Sequence, residues 1–259
     1  IDAASTYCYL LQSEEHRDSD TWGYYLLDVM EQGFAPAYTI ADGGSGLRAG
    51  QQAALPDTPC YGDVFHIQQQ FESVANSLVR RAQGARTQWL KVTEELATTR
   101  LSKLVEQRLL SQQRLAKQRE QSLVRLSQDV KTLLQWFSHD VLALVGPSLA
   151  VRQELYDFIE AELKQREDER YPAICKLRRA LRNQREQLLA FAGVLDQKLA
   201  EIAKDVELPM QDVRDVCLLH RKHSTSNPYW ERWNQLHSKL SGKFYGLMQA
   251  VGQVLEETP

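Results

Sequence analysis

The feature that most limits how this chain can fold is a run of 61 residues, Ala85 to Val145, that contains neither glycine nor proline. Those two residues end helices most readily, and the run is made largely of Leu, Gln, Arg, Glu and Lys, which favour them. It therefore reads as long helix. A single rod would reach about 90 Å at 1.5 Å per residue, too long for a compact domain, so a hairpin is expected, with the polar segment Ser111 to Gln121 as its turn. Leu123, Leu126, Val130, Leu133 and Phe137 then follow coiled-coil spacing, which calls for a partner helix. Gly146-Pro147-Ser148 closes the run. Beyond it the pattern predicts helices over Leu149–Glu169, Pro172–Lys204 and Tyr229–Leu255, with breaks at Pro209 and Asn227-Pro228.

The chain before this run has a different texture. Ser5–Gln12 is rich in β-branched and aromatic residues, as a strand is. Trp22, Tyr25, Leu26, Val29 and Met30 fall at helical spacing, with Asp20 or Thr21 as cap and Gly33 at the expected left-handed end. Ala37–Ala41 reads as a short buried strand that runs into Asp42-Gly43-Gly44-Ser45-Gly46 and a helix from Leu47, and Cys60–Phe65 reads as another strand.

Charge divides along the same line. Up to Asp63 there are ten acidic residues against two basic ones, a balance of −8, whereas the remainder carries +5. One part is suited to cations and the other to phosphates. The composition, 43% hydrophobic and 25% charged, is that of a soluble globular protein. With no apolar run of eighteen residues and no leader pattern at Ile1-Asp2-Ala3-Ala4-Ser5, a cytoplasmic protein without membrane contact is expected. Four cysteines without a Cys-x-x-Cys pair suit reduced thiols.

Asp42 stands out as a site residue, because an acid between a buried strand and a glycine turn projects from the carboxyl edge of a sheet. Asp2, next to the first expected strand, would lie beside it if the strands pair, and two close carboxylates call for a cation such as Mg²⁺. The alternative is that each acid merely caps a turn. Asp63 and His66 form an Asp-x-x-His pair where strand passes into helix. Arg80, Arg81 and Arg86, and farther on Arg178, Arg179, Arg182 and Arg185, form basic stripes that are either solvated faces or phosphate contacts. Cys217, His220 and His223 have zinc-like spacing but lack a fourth ligand. Trp89, Trp136, Trp230 and Trp233, each among apolar neighbours, are expected in the core.

Taken together, Ile1-Asp2-Ala3-Ala4-Ser5, Ile40-Ala41-Asp42-Gly43 and Gly62-Asp63-Val64-Phe65-His66, followed by a long helical region, resemble the catalytic core of DDE transposases of bacterial insertion sequences. The resemblance implies an α/β ribonuclease H-like core, a small mixed sheet with helices, interrupted by a large all-α insertion: residues 1–66 as partial core, 67–225 as insertion of antiparallel long helices, and 226–259 as a helix returning to the core. It further implies metal-dependent DNA strand cleavage and transfer, with Asp2 and Asp42 as catalytic metal-holding acids, Asp63 and His66 as supporting signature, two Mg²⁺ or Mn²⁺ ions, transposon-end and target DNA as partners, and a homo-oligomer when active. The family's third acid, a Glu on a helix after the insertion, has no clear counterpart. Glu231 is the internal candidate, and the chain reads as a fragment that would not cleave by itself. The rival expectation is a non-catalytic helical coiled-coil or DNA-binding scaffold.

Overall fold

The computed structural model describes residues 8–11, 14–41, 43–98, 102–221 and 227–258. Among them the chain forms nine α-helices and two short strands: α1 (Ser19–Glu31), β1 (Thr39–Ala41), α2 (Ser45–Ala54), β2 (Cys60–Gly62), α3 (Val64–Thr98), α4 (Lys103–Trp136), α5 (Leu149–Gln165), α6 (Pro172–Asp205), α7 (Met210–Leu219), α8 (Asn227–Leu240) and α9 (Phe244–Glu257). A π-helical turn, Phe137–Val141, prolongs α4. No helix among the described residues is long and apolar enough to cross a membrane.

This corrects the expected fold class. The ribonuclease H-like mixed sheet is not formed among the described residues: β1 and β2 are three residues each, pair in parallel, and make a two-stranded sheet. The described part of the expected first strand, Cys8–Leu11, is neither strand nor helix. Too few segments carry the two-residue alternation of a strand, and the 3.6-residue period governs nearly everything else.

Contacts divide the chain into two compact units, one of residues 1–66, 142–153 and 183–259, the other of 67–141 and 154–182. The expected insertion, 67–225, is therefore shared between them.

The second unit is a bundle of long helices. Phe71 packs on Phe137 at 5.4 Å between ring centroids, Ala82 and Ala85 pack with Leu123, Lys117 lies over the Trp89 ring, and Gln113 donates to Thr93 Oγ1 at 3.0 Å. As one partner advances along α3 the other retreats along α4, so the helices run antiparallel. The turn differs from expectation: Ser111 to Gln121 lies inside α4, while α3 ends at Thr98 and α4 begins at Lys103. The α4 seam is formed by buried Leu123, Val130, Leu133 and Phe137, but Ser127 takes the inner position beside the half-buried Leu126. Its Oγ donates to the carbonyl of Val124, which lets a hydroxyl sit inside without an unmet hydrogen bond. Tyr156 on α5 completes the core, packing on Phe137 and donating to the Leu181 carbonyl at 2.7 Å.

The first unit is assembled differently. On α1, Asp18 rather than Asp20 or Thr21 is the cap, accepting from the Thr21 N–H at 2.8 Å, and Gly33 follows with φ +95°. α1 and α2 cross through glycine. A Cβ on Gly50 would stand 2.7 Å from the Ser19 carbonyl oxygen and 2.8 Å from the Gly23 nitrogen, and one on Gly46 would stand 1.9 Å from the Arg17 carbonyl oxygen. A second core unites α7, α8 and α9 with the end of α6 around Leu199, Val213, Val216, Phe244 and Val251. The single last helix expected from Tyr229 is broken at Ser241, whose φ is +47°, and Trp233 and His237 stack there at 4.9 Å.

Arg152 is fully buried in this unit. Its guanidinium donates to the carbonyls of Ala143 (2.6 Å), Leu144 (3.1 Å) and Pro147 (2.8 Å), and it lies over the Phe191 ring. Burial pushes its pKa down to about 10, with Asp196 acting in the opposite sense, so the group stays cationic at neutral pH. Asp196 in turn accepts from the Leu149 N–H at 2.9 Å and pairs with Arg214 at 2.9 Å.

Candidate functional site

The strand ends are where a site can be built. Thr39 pairs with Cys60, Ile40 with Tyr61 and Ala41 with Gly62, and the Asp63 N–H donates to the Ala41 carbonyl at 2.9 Å. Both strands therefore stop level with each other. Asp63 follows β2 directly, as Asp42 follows Ala41 in the sequence. Arg48 on α2 reaches back to donate to the same Ala41 carbonyl at 2.8 Å. Under the strands runs α6: a Cβ on Gly62 would lie 2.9 Å from Leu188 Cδ2 and 3.2 Å from the Leu188 nitrogen, and one on Gly43 would lie 2.7 Å from Gln184 Nε2. Glycine at 62 lets helix and strand approach this closely.

Asp2 and Asp42, the expected metal-holding acids, lie outside the described residues. The Asp63 carboxylate accepts the His66 N–H at 3.0 Å and so caps the first turn of α3. The described residues do not fit a cation by themselves, since among them no group of three His, Cys, Asp or Glu side chains converges. Of the zinc candidates, His223 is outside the described residues, His220 Nε2 lies 3.2 Å from the Met248 carbonyl, and burial pushes the Cys217 thiol up to about 11, the reverse of what a thiolate ligand needs. Glu231 is exposed on α8.

Next to Asp63 opens a cleft of about 310 Å³. Its walls are mostly apolar, with Ile40, Tyr61, Phe65, Leu142, Leu144 and Phe191 among them, and Asp63 is the charged residue in its lining. Phe65 is 73% exposed and Ile40 54%. Gln187 of α6 also lines it, and the Gln187 Oε1 is buried without a hydrogen-bond partner. Sequence reading missed this residue, because one glutamine on a polar helix carries no signal. Ile40 and Phe65 were legible only as neighbours of the two acids.

The basic stripes separate into two kinds. Arg178 is spent inside the second unit: its side chain, 12% exposed, bonds Glu167 at 2.5 Å and Glu160 at 3.3 Å, and these bonds hold the Glu167 carboxyl below its ordinary range. Arg81 donates to the Arg170 carbonyl and lies over the Tyr171 ring. Arg80, Arg86, Arg179 and Arg182 are exposed, Arg182 at the 4.0 Å limit of contact with Glu160, and Arg185 is half-buried. Two of the four tryptophans also depart from expectation, Trp136 at 40% and Trp230 at 56% exposure, whereas Trp89 is half-buried and Trp233 packs against the core of the first unit. Set beside protein-family models, curated proteins and solved structures, the chain matches none of them.

Proposed function

We propose that this chain takes part in DNA strand cleavage and transfer of the transposase kind, with Asp2 and Asp42 as the acids of the reaction and the helical unit as the DNA-holding part. One observation carries this reading for Asp42: two parallel strands end in register and are followed in the sequence by Asp42 and Asp63, at the kind of sheet edge where α/β proteins gather catalytic groups, while Asp2 is assigned by the resemblance. Mg²⁺ or Mn²⁺ held by such acids would polarise the phosphodiester. Two features of the described residues support the reading. Asp63 fixes the start of α3 beside the strand ends, and the second unit has 19 basic against 14 acidic residues, the charge sense that duplex phosphates require.

Calorimetric titration with Mn²⁺ tests the acids without relying on turnover. Binding that Asp42→Asn and Asp2→Asn each abolish is expected; binding indifferent to both would overturn the reading. For the DNA surface, Arg80→Gln with Arg86→Gln should weaken duplex binding and lower the slope of log affinity against log salt by about 2, at roughly 0.9 per phosphate contact. An unchanged slope would remove these arginines from the interface. A second reading, a helical interaction protein, is favoured by the leucines that α4 leaves in solvent, Leu104 at 62% and Leu115 at 66% exposure.

A further inference from the structure

The geometry points to self-association in which the start of α4 from one copy enters the cleft beside Asp63 of another. It does not depend on the DNA-processing reading. The cleft states what it can accept. Its walls are mostly apolar and its charged lining group is an acid. An occupant must therefore bring apolar carbon together with N–H groups, and a phosphate or carboxylate is disfavoured. The volume, about 310 Å³, admits side chains projecting from a helix but not a helix itself, whose diameter is about 10–12 Å.

The chain displays that chemistry on its own surface. Leu104, Arg108 and Leu115 recur at steps of four and seven and so share one face of α4, and all three are exposed. Leu104 supplies the apolar knob and the Arg108 guanidinium, one turn on, supplies donors for Asp63. Asp63 already accepts one bond from His66 N–H, and a carboxylate offers about four acceptor positions, so further bonds can form. Charge agrees with this at long range. The unit that holds the cleft has 20 acidic against 12 basic residues, and the unit that holds α4 has 19 basic against 14 acidic. Because knob and cleft are different surfaces, a single such contact suffices to join two copies.

Sedimentation velocity of the full chain at about 0.1 M and about 1 M salt, where the screening length falls from about 10 Å to about 3 Å, reads the association. A dimer at low salt that dissociates at least tenfold more readily at high salt is expected; a monomer at every concentration in low salt would overturn the proposal. Leu104→Asp and Phe65→Lys each alter an exposed side chain and should each give a folded monomer, with Arg108→Glu and Ile40→Lys as second variants of the two faces. An equimolar mixture of Leu104→Asp and Phe65→Lys retains one native knob and one native cleft, so it should recover a one-to-one dimer. If Phe65→Lys and Ile40→Lys still dimerise, the helices meet each other and not the cleft, and the proposal fails. It fails equally if the mixture stays monomeric.

Discussion

Both units bury an apolar core, but they join their elements by different means. In the second, long helices align in antiparallel pairs and apolar residues recur at helical spacing, so the interior is a repeated seam in which Phe71, Phe137 and Tyr156 meet. In the first, an apolar core of α7, α8, α9 and the end of α6 is supplemented by single close contacts among elements drawn from separate stretches of chain: glycine against backbone at the crossing of α1 and α2, and a buried arginine against three carbonyls. A seam spreads its stability over many similar contacts, whereas a pinned assembly concentrates it at a few unlike ones.

If that contrast holds, the largest effect in the molecule should come from Arg152. Replacing it with Met strips the donor from three main-chain carbonyls, and a loss of about 3–5 kcal/mol in unfolding free energy is expected by urea titration, on the scale of an abandoned buried partner. A loss below about 1 kcal/mol would show that the turn holds itself. Next comes Gly50→Val, which forces α1 and α2 apart. It should cost about 1–3 kcal/mol, as overpacking does, and lower the melting temperature. Gly84, with nothing within 4 Å of an added Cβ, offers the control in the other unit: Gly84→Ala should be neutral or slightly stabilising.

In the second unit, Arg178→Met strips half-buried Glu167 of its short ion pair and leaves Glu160 only the distant Arg182, and should cost about 1–2 kcal/mol while leaving DNA affinity nearly unchanged. A large drop in affinity instead would return Arg178 to the interface. The smallest effect belongs to Asp18. The bond from Thr21 N–H lowers its carboxyl pKa, so its support of α1 is present above the ordinary carboxylate range and is lost as pH falls through the lowered value. Asp18→Asn keeps the cap without the charge and should flatten that acid limb of stability against pH; an unchanged limb would assign it to other carboxylates.

The same contrast decides what was legible. Periodicity announces seams, so the long helices and most residues of the α4 seam were readable, and Asp63 and His66 were correctly set where strand passes into helix. The hairpin turn was misplaced because polar composition is shared by loops and by the solvent faces of helices, and Ser111 to Gln121 is the latter. The mixed sheet was expected from a resemblance carried by a few motifs, and motifs report local chemistry more faithfully than architecture. Pins leave almost no trace in sequence. Nothing about Arg152 distinguishes it from the arginines of the stripes until three carbonyls converge on it, and nothing about Gln187 foretells an oxygen without a donor.

Arg152 also governs how this chain can drift. Because its guanidinium binds main-chain oxygens, these bonds set no demand on the side chains at 143, 144 and 147, and of the three Leu144 is held instead by the core and cleft it packs against. The spacing is not free. An inserted or deleted residue between Ala143 and Arg152 would carry at least one oxygen out of reach, so this turn should tolerate many substitutions and very few changes of length.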